Sequence, residues 1–162
     1  MRLSLFNLTW IAVSVVSSLT ISFSSVRAET DVYVDNNCRQ VSDSVLQSLS
    51  EPPWFQYQNV FYGRKFTANN ENYWLYAART GDGSVQFCIS QPNFVNPQVI
   101  NADEISYQFI ESINQAGDNN PTFTVQVREG QNTNSPFIDY RLNLSNPNQP
   151  IVTLIRRGCC IN

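Results

Sequence analysis

From Thr30 onward the chain alternates apolar and polar residues in short runs separated by Asn, Asp, Gly and Pro, the pattern of strands buried on one face. It is cleanest near the C-terminus. Phe123, Val125 and Val127 alternate with Thr122, Thr124, Gln126 and Arg128, and Ile138, Tyr140, Leu142 and Leu144 alternate with Asp139, Arg141 and Asn143. Two antiparallel strands follow, with Ile151 to Arg156 a third. Matching their apolar faces allows a register with Arg128 across from Asp139 and Arg156 on its other side, Arg141 nearby. That basic row on an open face offers bidentate donors to an anion or acidic partner. The plainer role is cross-strand charge pairing that fixes register.

Between Tyr73 and Ser90 an aromatic run, Gly81-Asp82-Gly83 and a second apolar run predict a hairpin. With a two-residue loop of Asp82 and Gly83, Ala78 lies opposite Phe87 and Tyr76 opposite Ile89. Trp74, Tyr76, Ala78, Val85, Phe87 and Ile89 then share the core face, and Cys88 points to the other. A three-residue loop through Gly81 would bring Leu75 and Ala77 to the core face instead.

The remaining elements are less regular. Thr30 to Val34 fits a short strand. Val41, Val45, Leu46 and Leu49 recur at helical spacing and predict a helix over residues 39–50, stopped by Pro52-Pro53, covering one sheet face. Trp54, Phe55, Tyr57, Phe61, Tyr62 and Phe66 follow, with Arg64-Lys65 near the end. Exposed, these aromatics would stack on sugar rings or anchor a protein partner; a small β domain also needs aromatic core, and large apolar side chains usually go inside. Residues 103–114 carry both a capping-box signature, Asn101 with Glu104, and β-branched and aromatic residues at Ile105, Tyr107, Phe109 and Ile113. The strand is favoured because two more β runs follow directly.

Composition narrows the setting. Residues 1–28 pair Arg2 with the 23 uncharged residues Leu3 to Ser25 and end in Val26-Arg27-Ala28, the layout of a cleaved export signal. An uncleaved membrane anchor is the competing reading. Cleavage after Ala28 leaves one domain over 29–162, with no membrane span, eight basic residues and thirteen acidic ones. A single lysine, Lys65, and only two basic pairs argue against nucleic acid. Four cysteines in an exported chain imply two disulfides. Bridges from Cys38 and from Cys88 to the terminal pair Cys159 and Cys160 are expected, pinning the tail across the sheet. Zinc is disfavoured, with neither histidine nor a C-x-x-C pair.

Catalytic patterns are sparse. Without histidine there is no Ser-His-Asp or Cys-His arrangement. Asp82, Asp103, Glu104, Glu111 and Asp139 are available for a carboxylate pair, but no spacing selects two of them. Gly117-Asp118-Asn119-Asn120 has the composition of any turn, and no cofactor motif is present.

The sequence therefore predicts an α+β domain: a meandering antiparallel sheet of about six strands, one N-terminal helix packed on it, and two disulfides. The functional expectation is an exported, periplasmic or extracellular, non-enzymatic module binding a protein or carbohydrate partner. Its candidate residues are Trp54, Tyr57, Tyr62 and Arg64 of the aromatic stretch and Arg128, Arg141 and Arg156 of the basic face. A small cell-envelope hydrolase working through two carboxylates is the alternative.

Overall fold

A computed structural model of the protein describes residues 31–130 and 135–158. The predicted leader and the terminal cysteines Cys159 and Cys160 lie outside the described residues. Among these, nine strands form two antiparallel sheets. The first holds β1 (Tyr33–Val34), β2 (Gln58–Ala68), β3 (Glu71–Arg79), β4 (Val85–Gln91) and β5 (Val95–Val99), in that order. The second holds β6 (Phe109–Gln115), β7 (Thr122–Arg128), β8 (Phe137–Asn143) and β9 (Ile151–Gly158). The chain is thus mostly antiparallel sheet, as its alternation predicts, but with two sheets in place of one.

Two sheets are required because both bury a face. Phe66, Leu75, Ala77, Val85, Phe87 and Ile89 of the first pack with Phe123, Val125, Val127 and Leu142 of the second in one core. The Phe66 and Phe123 rings meet edge to face across it at 6.0 Å. Backbone pairing also joins the sheets at their ends: Val85 exchanges hydrogen bonds with Tyr107 and Gln108, and Thr67 N–H donates to Asn119.

The hairpin register differs from the two-residue expectation. Tyr76 pairs with Cys88 and Leu75 with Ile89. Leu75 and Ala77 take the core face, while Trp74, Tyr76 and Ala78 turn to the opposite one. Turn chemistry explains the shift. Of Asp82 and Gly83 only Gly83 has positive φ, at 88°, and its N–H donates to Thr80 O (3.0 Å) while Thr80 N–H donates to Ser84 O (2.9 Å). This is the three-residue loop with a glycine bulge. The Asp82 carboxylate holds it, accepting from the Thr80 hydroxyl (2.5 Å), the Ser84 N–H (2.9 Å) and the Ser84 hydroxyl (2.7 Å). The two-residue turn belongs instead to Asn69-Asn70, both left-handed, joining β2 to β3.

The helix is another correction. It spans only Asp43–Gln47, buries no residue and covers neither sheet. Its serines compete for backbone hydrogen bonds, as in the Ser48 hydroxyl donating to Val45 O (2.7 Å), and an unpacked helix does not propagate. In the ambiguous segment the strand reading holds for Phe109–Gln115. Ile105, assigned to it, sits earlier in a turn where its N–H donates to Ala102 O (3.0 Å), and is nevertheless buried in the core. Tyr107, assigned to the same face, has φ 56° and is exposed.

Cys38 and Cys88 are bonded to each other, not to the terminal pair. The reason is local. Asp35 Oδ1 accepts from the Asn37 N–H (2.8 Å) and the Arg39 N–H (2.9 Å), curling residues 35–39 into a tight loop. Cys38 in that loop has φ 64° and faces β4, 5.9 Å from Cys88 between Cα atoms. The loop is thereby fastened over the outer face of the first sheet. No helix among the described residues is long and apolar enough to cross a membrane.

Candidate apolar cleft on the disulfide face

The outer face of the first sheet carries a second, smaller core of Val34, Cys38, Tyr76, Ala78 and Cys88. An amide network borders it, in which Gln58 Oε1 is left without a partner among the described residues. Gln58 donates to Gln86 Oε1 (2.8 Å) and Asn36 Oδ1 (3.0 Å), and the Tyr76 hydroxyl donates to Cys38 O (2.7 Å). Burial pushes the Tyr76 phenol well above its ordinary pKa.

Beside this core lies a cleft of about 260 Å³, lined among others by Val60, Gly63, Lys65, Trp74, Tyr76 and Phe94. Register explains its shape. Gly63 stands opposite Tyr76 and Lys65 opposite Trp74, so β3 supplies aromatic walls, and beside Tyr76 β2 has no side chain to fill the space. A Cβ on Gly63 would touch nothing within 4 Å. Phe94, from the turn between β4 and β5, closes the third side, its ring edge to face with Trp74 (5.5 Å) and Tyr76 (5.1 Å). The backbone there is left-handed at Asn93 (φ 63°), Phe94 (φ 57°) and Asn96 (φ 49°). For a phenylalanine that conformation costs about 1–2 kcal/mol and persists only where its surroundings hold it. Strained non-glycine backbone collects at binding sites, and here it forms a wall of the cleft.

The polar groups around the cleft are unequal. Trp74 Nε1 is buried and meets no acceptor among the described residues, and neither does the hydroxyl of Ser90, its cross-strand partner, find a hydrogen bond. Arg64 folds back to Gly63 O (3.3 Å) at the β2 edge, with its guanidinium 5.8 Å from the Tyr62 ring. Neither Arg64 nor Lys65 forms an ion pair among the described residues.

The expected aromatic stretch is mostly outside the core. Only Phe66 is buried; Trp54, Phe55 and Phe61 are 55%, 69% and 42% exposed, and Tyr57 and Tyr62 are half-buried. Burial pushes the Tyr62 phenol up against the opposing pull of Arg64. Phe61 lies under the Arg79 guanidinium at 4.7 Å.

The basic row is reorganised. Gln126, not Arg128, stands across from Asp139, and Arg128 faces Phe137 and bonds Glu111 (2.6 Å). Arg156 does reach Asp139 (2.5 Å), which Gln126 also contacts (2.8 Å). Arg141 is exposed between Thr124 and Thr153. Two of the three arginines are thus tied to carboxylates. Of the five carboxylates considered for catalysis, Asp82, Glu111 and Asp139 are engaged locally, and Asp103 and Glu104 border an open polar hollow.

No known protein family, curated protein or solved structure matches this chain. Trp74, Tyr76 and Phe94 were not singled out for binding by the sequence, although an isolated glycine within the bulky run Tyr62 to Phe66 is a signal of open space beside a strand.

Proposed function

We propose that the protein is an exported, non-enzymatic binding module and that its ligand enters the cleft between β2, β3 and Phe94. The observation that carries this reading is an apolar, aromatic-walled recess, one wall of which, Phe94, is held in left-handed backbone. Binding sites are typically concave and apolar, with a few placed polar groups that orient the ligand. The opposite, arginine-bearing face is the weaker candidate, because Asp139 and Glu111 already neutralise Arg156 and Arg128. An oxidising compartment fits the Cys38–Cys88 bond.

The test is ligand-observed NMR of the purified, oxidised protein against ring-sized apolar probes. Binding that is lost in Gly63→Val and kept in Arg141→Ala supports the cleft. Probes that bind equally to the parent and Gly63→Val, or to neither, contradict it.

A further inference from the structure

We infer that β9 is a docking edge for a second copy of this chain. The two β9 strands pair antiparallel about a twofold axis at Thr153, joining the second sheets of two molecules into one. This edge lies on the second sheet and takes nothing from the cleft on the first.

β9 is the last strand of its sheet and, among the described residues, pairs only with β8. Its outer side therefore presents backbone donors and acceptors to another strand. The other sheet edges carry features that discourage such pairing. β1 has two residues, β5 is interrupted by Pro97, and β6 bulges at the charged Glu111. From Ile151 to Ile155, β9 has neither proline nor charge, and it exposes Ile151 (60%), Leu154 (50%) and Ile155 (43%). Leu154 pairs with Tyr140, and Tyr140 packs against the main core. Leu154 thus lies on the core face and is left half exposed where the sheet ends.

The order of these residues selects a second copy over an unrelated strand. Ile151-Val152-Thr153-Leu154-Ile155 has the same apolar pattern read in either direction, as a self-complementary twofold interface requires. With Thr153 of both copies on the axis, Val152 meets Leu154 of the second copy on the core face, and Ile151 meets Ile155 of the second copy. Arg156 and Arg157 fall across from Pro150 and Gln149 of the second copy, so like charges do not face each other. The bulge opposite Asp139 and Tyr140 and the two arginines end the pairing there without blocking it.

Sedimentation equilibrium of the full, oxidised protein over roughly 1 µM to 1 mM tests the inference. The average mass should rise from one chain toward two. Leu154→Lys should weaken the association at least about tenfold, because the substitution acts twice across a twofold interface, with the circular dichroism spectrum unchanged. Thr153→Cys supplies a second reading that does not depend on Leu154. Opposed residues lie about 4.5–5.5 Å apart between Cα atoms, within disulfide reach, so non-reducing peptide mapping should find position 153 bridged to position 153 of the second copy. Arg141→Cys, one strand further from the axis in each copy, should not bridge to itself. A mass of one chain throughout would overturn the inference and leave the edge to a strand of another protein. A dimer that survives Leu154→Lys, or one held only through Cys159 or Cys160, would overturn it too. Bridges from position 153 to those cysteines alone would contradict the register.

Discussion

Gly63 is the residue whose replacement separates folding from binding. Glycine weakens a strand interior because it gives up backbone entropy and packs no side chain, by about 0.5–1 kcal/mol relative to alanine. Its backbone φ is not left-handed and its Cβ would meet open space, so Gly63→Val should be tolerated. We expect a melting temperature unchanged or raised by about 2–4 °C, together with a closed cleft; a marked fall on a thermal melt would show that the open space is not available. A second residue-scale expectation concerns Asp139, which is only 5% exposed yet carries a carboxylate. Arg156→Gln leaves it with Gln126 alone, and should cost about 1 kcal/mol, the low end for a buried charged acceptor because Arg156 is itself solvated. Urea unfolding with an unchanged midpoint would contradict that. These residues also mark how far sequence reasoning reached. The alternation in β7 and β8 placed Phe123, Val125, Val127 and Leu142 inside correctly, and placed Arg156 beside Asp139. The position of Arg128 was not legible, since several registers satisfy the same apolar alternation and sequence does not choose among them.

At the scale of elements, the turn between β3 and β4 decides which aromatics reach the cleft. A two-residue loop would have buried Trp74 and Tyr76 in the main core; the three-residue loop turns them to the disulfide face. The Asp82 carboxylate is held down to about 2 by hydrogen bonds, first from the Thr80 hydroxyl and then from the Ser84 backbone and hydroxyl. Its folded pKa lies below the unfolded value of about 3.9, so its contribution to stability is complete above pH ~4 and is lost as pH falls toward about 2. Acid unfolding of Asp82→Asn should lack the part of the pH dependence that the parent shows in that window. Identical acid profiles for the two proteins would rule out this role for the turn. The helix and the cleft failed to emerge from sequence for a shared reason. Spacing at residues 41–49 reports periodicity but not whether a partner surface exists, and although Asn93 and Asn96 are residues that adopt left-handed backbone readily, nothing in the residue type of Phe94 signals that it does so too.

Over the whole molecule, the two sheets share one core, while the disulfide secures a second, smaller one on the outer face of the first sheet. The Cys38–Cys88 bond closes a loop of 50 residues, for which the chain-entropy relation gives about 4 kcal/mol, an upper figure when the reduced chain retains structure. Because Cys38 holds residues 35–39 over β4, removing both cysteines with Cys38→Ala and Cys88→Ala should lower the urea midpoint and loosen the smaller core before the main one. Amide exchange should therefore quicken first at Tyr76 and Cys88→Ala rather than at Phe123 and Val125; uniform quickening would contradict this order. The central claim is that the cleft on this face receives the ligand, and the indole N–H of Trp74 reports on it most directly. In a proton–nitrogen correlation spectrum recorded during titration with a ring-sized apolar probe, the Trp74 indole resonance should move with saturation, along with the backbone amides of Gly63 and Phe94, while that of exposed Trp54 stays in place. Saturable shifts at Trp54 or around Arg141, with Trp74 unmoved, would contradict the account.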